Sequence, residues 1–267
     1  MSRRVPADLA PAASMGYTRL RRDPGEGEIK DMILTGHQPN YLPYAGFFEK
    51  IARSDRFLVV DNVQFVKRGT FGWMHRNRIR SSSPEGWDWL SVPVLTKGRY
   101  TQEIREAEID NSTPWPRKHW RSIEWNYRKA PHFKAYADRF RELYERPWKS
   151  FCELSCAFIE LILGLLGIRR TLDRTSALGI AGESTALVLA MCRATGADTY
   201  LSGVHGRDYL DPAEFERQGI RLLFQEFSCP PYPQCWPGPF VPNLSVIDLL
   251  FNCGPDSLKV ITGDRAA

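Results

Sequence analysis

The segment Met32-Ile-Leu-Thr-Gly-His-Gln-Pro-Asn-Tyr-Leu-Pro-Tyr-Ala-Gly-Phe-Phe-Glu-Lys-Ile-Ala-Arg-Ser-Asp-Arg-Phe-Leu-Val-Val-Asp61 changes its periodicity twice. Met32–Thr35 is a short apolar run, which fits a buried strand. The polar loop Gly36-His-Gln-Pro-Asn40 follows. Tyr44, Phe47, Phe48 and Ile51 then recur at i, i+3, i+4 and i+7, the spacing of one helix face. Arg56–Val60 is apolar again and ends at Asp61. Two strands joined by a helix pair in parallel, so the expected class is α/β, a mostly parallel sheet with flanking helices.

The alternation continues down the chain. Trp87–Val94 reads as a strand, and so do Arg170–Thr175, Thr199–Gly203 and Ile220–Phe227. A helical stretch from Trp115 to about residue 168 is expected as an insertion, broken near Ala130-Pro131 and Arg146-Pro147, where proline removes a helix donor. Gly182-Glu-Ser-Thr185 opens a further helix, capped by Ser184 or Thr185, and Gly196 closes it. A last helix is expected over 245–252, stopped by Gly254-Pro255. Residues 1–31 carry Pro6, Pro11, Pro24, Gly25 and Gly27 without periodicity. They are expected to be a flexible extension, with residues 32–267 forming a single catalytic domain.

With 267 residues, 43% hydrophobic and 25% charged, the chain has the composition of a globular protein and not of a disordered one. The longest apolar stretch, near 157–168, is interrupted by Glu160 and is too short for a membrane span. Six cysteines, without zinc-finger spacing and without a leader before them, point to reduced thiols in the cytoplasm, with no metal site. The net charge of +5 is uneven. Residues 64–80 and 115–149 together carry +11, leaving the remainder acidic. A local basic face suits an acidic partner better than a general nucleic-acid coat does.

Ligands of open α/β sheets bind outside the carboxyl ends of the strands. His37 and Asp61 end the first two strands, so an imidazole oriented by a carboxylate is expected there as a general base. Gln38, Asn40 and Tyr41 add hydrogen-bonding groups for substrate. Arg76 and Asn77 lie in a segment without acids and suit carboxylate, phosphate or hydroxyl recognition. Ser202 and His205 follow a later strand. Cys229-Pro-Pro-Tyr-Pro-Gln-Cys235 follows another, placing a thiol, the Tyr232 phenol and the Gln234 amide together. Near an imidazole, Cys229 would be a candidate acyl acceptor. Cys152, Cys156 and Cys192 fall on apolar helix faces and are expected in the core. No Gly-x-x-x-x-Gly-Lys, Gly-x-Gly-x-x-Gly or His-Glu-x-x-His string occurs, which removes P-loop, Rossmann-dinucleotide and zinc-peptidase readings.

Several strings resemble the WbqC-like family: Gly36-His-Gln-Pro-Asn-Tyr-Leu-Pro-Tyr44, Phe47-Phe-Glu-Lys-Ile51, Asp61-Asn-Val-Gln-Phe65, Arg76-Asn-Arg-Ile79, Trp89-Leu-Ser-Val-Pro93 and Lys118-His-Trp-Arg-Ser-Ile123. Tyr200-Leu-Ser-Gly203, Pro231-Tyr-Pro-Gln234 and Leu244–Asn252 are similar to it too. The likeness runs from about Met32 to Gly254, with departures at His75, Cys229 and Cys253 that mark a divergent member. It implies attachment of an acyl or aminoacyl group to a sugar amine in glycan or natural-product assembly. Some such enzymes of aminosugar antibiotic pathways, lincosamides among them, condense a carrier-bound amino acid with an amine.

The expected function is therefore amide formation between a carrier-protein thioester and an amino sugar. His37 is the expected base, Asp61 its orienter, Asn77 or Gln234 the oxyanion donor, and Cys229 the acyl acceptor of a covalent route. No cofactor is expected beyond the phosphopantetheine arm of an acyl or peptidyl carrier protein, which Arg128 and Arg139 would help to dock. Neither nucleic acid nor membrane is an expected partner. A nucleotidyltransferase-like adenylate-forming enzyme and a non-catalytic glycan-assembly binding protein are the competing readings. The adenylate reading is weakened because the loop after the first strand holds only one His.

Overall fold

The structure is a computed structural model and describes residues 32–67 and 74–263. The extension expected over residues 1–31 lies outside the described residues. Strand β1 (Ile33–His37) leads through α1 (Ala45–Ala52) to β2 (Arg56–Val59). The chain then leaves the sheet for an antiparallel hairpin, β3 (Arg76–Arg80) and β4 (Trp87–Ser91), and for α2 (Trp115–Tyr127), α3 (Phe133–Glu145) and α4 (Phe151–Leu166). It returns as β5 (Asp173–Arg174), α5 (Ser184–Thr195), β6 (Thr199–Ser202), α6 (Pro212–Arg217) and β7 (Arg221–Phe224). It ends in α7 (Val246–Cys253) and α8 (Ser257–Thr262). The main sheet has the order β5-β2-β1-β6-β7, and every neighbouring pair is parallel. The fold is α/β.

Strand alternation explains why both faces are covered. Phe57 and Val59 of β2 point into one core with α1, the hairpin and the three inserted helices. Leu58 and Val60 point into a second core with Val188, Met191 and Phe215 of α5 and α6. On β1 this second face is crowded at Gly36, where an added Cβ would lie 2.3 Å from Met191 Cε and 3.3 Å from Val60 Cγ2. Only a residue without a side chain lets α5 pack this closely on the central strand.

The breaks expected at Ala130-Pro131 and Arg146-Pro147 fall between α2, α3 and α4 as read. Gly196 closes α5 in the left-handed region (φ 70°), and Ser245 Oγ caps α7 by accepting from Ile247 N. Two expectations need correction. Glu183 occupies the N-cap of α5 without a side-chain bond, so neither Ser184 nor Thr185 caps it. Trp87–Val94 is not a strand of the main sheet, because its first five residues pair antiparallel with Arg76–Arg80.

The larger core is built around aromatic rings. Phe251 lies 5.2 Å from Tyr127, 5.1 Å from Phe133 and 5.5 Å from Phe140, ring centre to ring centre, so one side chain ties α7 to the inserted helices. Phe251→Ala should cost about 3–5 kcal/mol of unfolding free energy. Urea denaturation followed by circular dichroism measures this, and a loss below about 1 kcal/mol would mean that the insertion holds without Phe251.

Candidate functional site

The order β5-β2-β1-β6-β7 reverses its winding between β1 and β6: from β1 the chain steps to β2 on one side, and from β6 it steps to β7 on the other. The loops leaving β1 and β6 therefore part above the carboxyl ends of these strands, where the crevice of such sheets usually takes the ligand. His37 and Gln38 stand on one side of it, with Ser202 and Gly203 on the other.

His37 is half-buried, its ring edge-on to Phe47 at 4.9 Å. Its Nδ1 lies 2.9 Å from the Gln38 carbonyl. A carbonyl only accepts, so Nδ1 carries the proton and Nε2 is left as the acceptor. Burial, then the neighbouring Lys50 charge, pull the imidazolium pKa down to about 3. The ring is neutral at physiological pH.

Lys50 is the group the sequence reading missed. It stands one residue before Ile51 of the apolar stripe of α1, yet it is only 3% exposed. Its Nζ donates to the Gly36 carbonyl at 3.1 Å and lies 3.9 Å from where a Cβ on Gly203 would sit. The amine thus spans the ends of β1 and β6. Burial lowers its pKa to about 7, against the opposing pull of Glu49. Glu49 is itself buried and is held by Arg53 (3.2 Å) and by Gln225 Nε2 (2.5 Å), which follows β7. The only signal for Lys50 in the sequence is its place between Phe47 and Ile51, and that reads equally well as a helix flank.

The expected His37–Asp61 pair does not form. Asp61 is buried and turns toward β5, where Ser176 N (3.1 Å) and Thr175 Oγ1 (3.2 Å) donate to Oδ1 and Ser176 Oγ (2.7 Å) donates to Oδ2. Its carboxylate ties two strand ends together and does not orient the imidazole. Tyr41 is fully buried, its hydroxyl 2.9 Å from His119 Nδ1 and bonded to the Tyr144 hydroxyl. It fastens the β1–α1 loop to α2 and α3. Asn77 donates one amide N–H to the Leu42 carbonyl (2.6 Å) and accepts from Arg78 N (2.8 Å), so it is tied to the β1–α1 loop and its own strand. Arg76 stacks on Trp89 at 4.4 Å.

The loop after β7 is also organised internally. Gln234 Nε2 donates to the Val241 carbonyl (3.0 Å) and Asp248 Oδ2 (2.9 Å), and its oxygen accepts from Val241 N (2.9 Å). Tyr232 donates to the same Asp248 oxygen at 2.8 Å. Burial raises the pKa of the fully buried Asp248 and of the Cys229 thiol. The Cys229 thiol makes a weak contact to the Pro230 carbonyl at 3.8 Å, and burial keeps it a thiol. It lacks the activation that an acyl acceptor needs. Ser202 is buried and donates to the Gly203 carbonyl (3.2 Å), while His205 is exposed and faces Asp208 at 3.4 Å. Asn40 Oδ1 is buried without a hydrogen-bond partner among the described residues. An open depression of about 430 Å3 lies between the starts of α5 and α6, lined by Thr185, Asp211 and Glu214 among others.

Cys152, Cys156 and Cys192 are buried as expected, and no cysteine is paired among the described residues. Among those residues no group of three or more His, Cys, Asp or Glu is placed to hold a metal ion, and no helix is long and apolar enough to cross a membrane.

Fold and crevice define an open α/β protein with its candidate site at a reversal of winding. The chain belongs to the WbqC-like protein family, whose sequence profile matches residues 38–260. The uncharacterized protein Rv1507c of Mycobacterium tuberculosis is 37% identical over 227 residues, covering 83% of this chain and 95% of its own length. No solved structure matches the chain.

The neutral His37 has a thermodynamic consequence. Between about pH 3 and 6.5 the unfolded chain binds a proton that the folded one does not, so the stability it contributes is present above pH 6.5 and is lost as pH falls toward 3. A nitrogen-15 ring spectrum at pH 6 should show His37 neutral with its proton on Nδ1. A protonated ring at that pH would contradict the site as described.

Proposed function

We propose that this protein is an amide-forming acyltransferase that joins an acyl or aminoacyl group, held as a carrier thioester, to the amine of an amino sugar. Membership of the WbqC-like family supports the reaction class through the resemblance described above. The observation that carries the reading is the Lys50 amine, poised near pH 7 beside a neutral imidazole at the β1–β6 crevice. A general base works best with a pKa near the working pH. Lys50 fits that requirement, whereas His37 as an imidazolium would be far too acidic.

In this reading the acceptor amine sits over the crevice and gives a hydrogen bond to His37 Nε2. Its lone pair attacks the thioester carbon and the C–N bond forms. One N–H proton passes to neutral Lys50, the C–S bond breaks, and the proton returns to the departing thiolate. The products are an amide and a free thiol, with no acyl-enzyme on Cys229.

The test is direct. The protein is incubated with aminoacyl thioesters and an amino sugar, and amide and thiol are followed by mass spectrometry. Lys50→Met should lower turnover at least about 100-fold, Lys50→Arg should not restore it, and Cys229→Ser should remain within a few-fold of wild type. The rate should rise with pH through about 7, as Lys50 loses its proton. A folded Lys50→Met protein with normal turnover would remove Lys50 as the base. Thioester donors that yield no amide with the wild type would end the transferase reading.

A further inference from the structure

The outer surface of α2 is unlike the rest of the insertion. Its inner side is committed to the core through Trp115, His119, Ile123 and Tyr127. Its outer side presents Arg117, Lys118, Arg121 and Trp125, and the chain just beyond the helix adds Arg128 and Lys129, all of them exposed. Positions 117, 121, 125 and 128 follow the i, i+4, i+3 progression of one stripe. Glu124 is the single acid among them, so the stretch carries a local charge of +4 (five cations against one). Among the described residues none of these five cations is in an ion pair. On α3, by contrast, Arg141 is paired with Asp138 (2.8 Å) and Glu145 (3.8 Å), and three bases face three acids over the helix. Arg139, expected to dock a carrier, therefore lies on a surface of no net charge.

Trp125 stands in the middle of the stripe, 60% exposed, with the Arg128 guanidinium 4.6 Å from its ring centre. Holding so much of an indole in water has a cost that neighbouring core packing would normally remove. Trp and Arg are the residues that most often anchor protein interfaces, and a stacked pair presents both a flat apolar face and fixed donors. One exposed aromatic, with every other apolar residue of the helix turned inward, is too little for insertion into a bilayer.

We propose that the outer face of α2 is a docking surface for an acidic protein. Resting on the reading above, that protein is the one carrying the thioester donor, with the cations steering its approach and Trp125 seated in its surface. The inner side of the same helix holds the β1–α1 loop through the His119–Tyr41 bond, so a partner on α2 sits on the support of the loop that rims the crevice.

The experiment measures binding apart from turnover. Full-length protein is titrated calorimetrically with a holo acyl carrier protein at low and at 0.5 M salt, beside a short DNA duplex and anionic phospholipid vesicles. Wild type should bind the carrier, and high salt should weaken it at least tenfold, since exposed charges act within about 8 Å at physiological ionic strength. The triple variant Lys118→Glu, Arg121→Glu, Arg128→Glu should lose at least tenfold in affinity, and Trp125→Ala should do so without any change of charge. Both should keep the wild-type melting temperature and the wild-type rate with a small thioester. The Trp125 variant alone decides if the triple variant fails to fold. No binding by wild type, or equal binding by a folded variant, overturns the proposal. So does tighter, stripe-dependent binding of DNA or vesicles. Failure of the transferase reading would look different: carrier bound through α2, but no amide from any thioester.

Discussion

Strand β1 is hydrogen-bonded along both edges, to β2 through residues 34–37 and to β6 through Ile33 and Leu34, and the rest of the molecule is arranged around that strand. Thr35 Oγ1 adds a 2.7 Å bond to the Leu201 carbonyl, which fixes β6 against β1 where few ladder bonds remain. Gly36 lets α5 press on the strand from one side. The chain leaves β1 for β2 on one side, and β6 enters on the other side and leads outward to β7, so the winding reverses between β1 and β6. The crevice at His37 and Ser202 follows from connectivity before any polar group is considered.

The same arrangement accounts for the buried amine. Helix α1 has the sheet on one side and α8 against it on the other, so even its polar positions are enclosed, Glu49 and Lys50 among them. Taking an ammonium out of water costs several kcal/mol per ion unless partners compensate, and a group in that position gives up its proton instead. Glu49 already has Arg53 and Gln225, and a single carbonyl, Gly36, is left to receive Lys50. The result is a lysine neutral enough to take a proton near pH 7. Burial, and after it the Lys50 charge, suppress protonation of His37.

The β–α–β unit was legible because each of its parts has its own period, and the insertion because Pro131 and Pro147 cut it where the helices end. The hairpin was not. In Arg76-Asn-Arg-Ile-Arg80 the arginines line one face and read as solvated charge; their strand character rests on Trp87 and Trp89 of the partner strand, which give Arg76 and Arg78 rings to stack on. The polar cluster after β1 misled in the opposite direction. Tyr41 looked like a ligand contact, but the groups that satisfy it, His119 and Tyr144, lie 78 and 103 residues away. Lys50 was hidden because nothing in its local spacing shows that its Nζ reaches the Gly36 carbonyl at the end of β1.

A polar accounting separates framework from site. Asp61, Asn77, Tyr232 and Gln234 resemble site residues in sequence, yet their hydrogen bonds run to neighbouring segments and close them. A buried polar group with its partners in place is costly to disturb, so these groups rigidify the rim and are poorly suited to exchange bonds with a substrate. Beside the strand ends, the Nε2 acceptor of His37 and the Lys50 amine keep capacity to spare, and the buried Asn40 oxygen in the loop after His37 has no partner among the described residues. Two of these three accept protons or hydrogen bonds, and the amine does so once it is neutral.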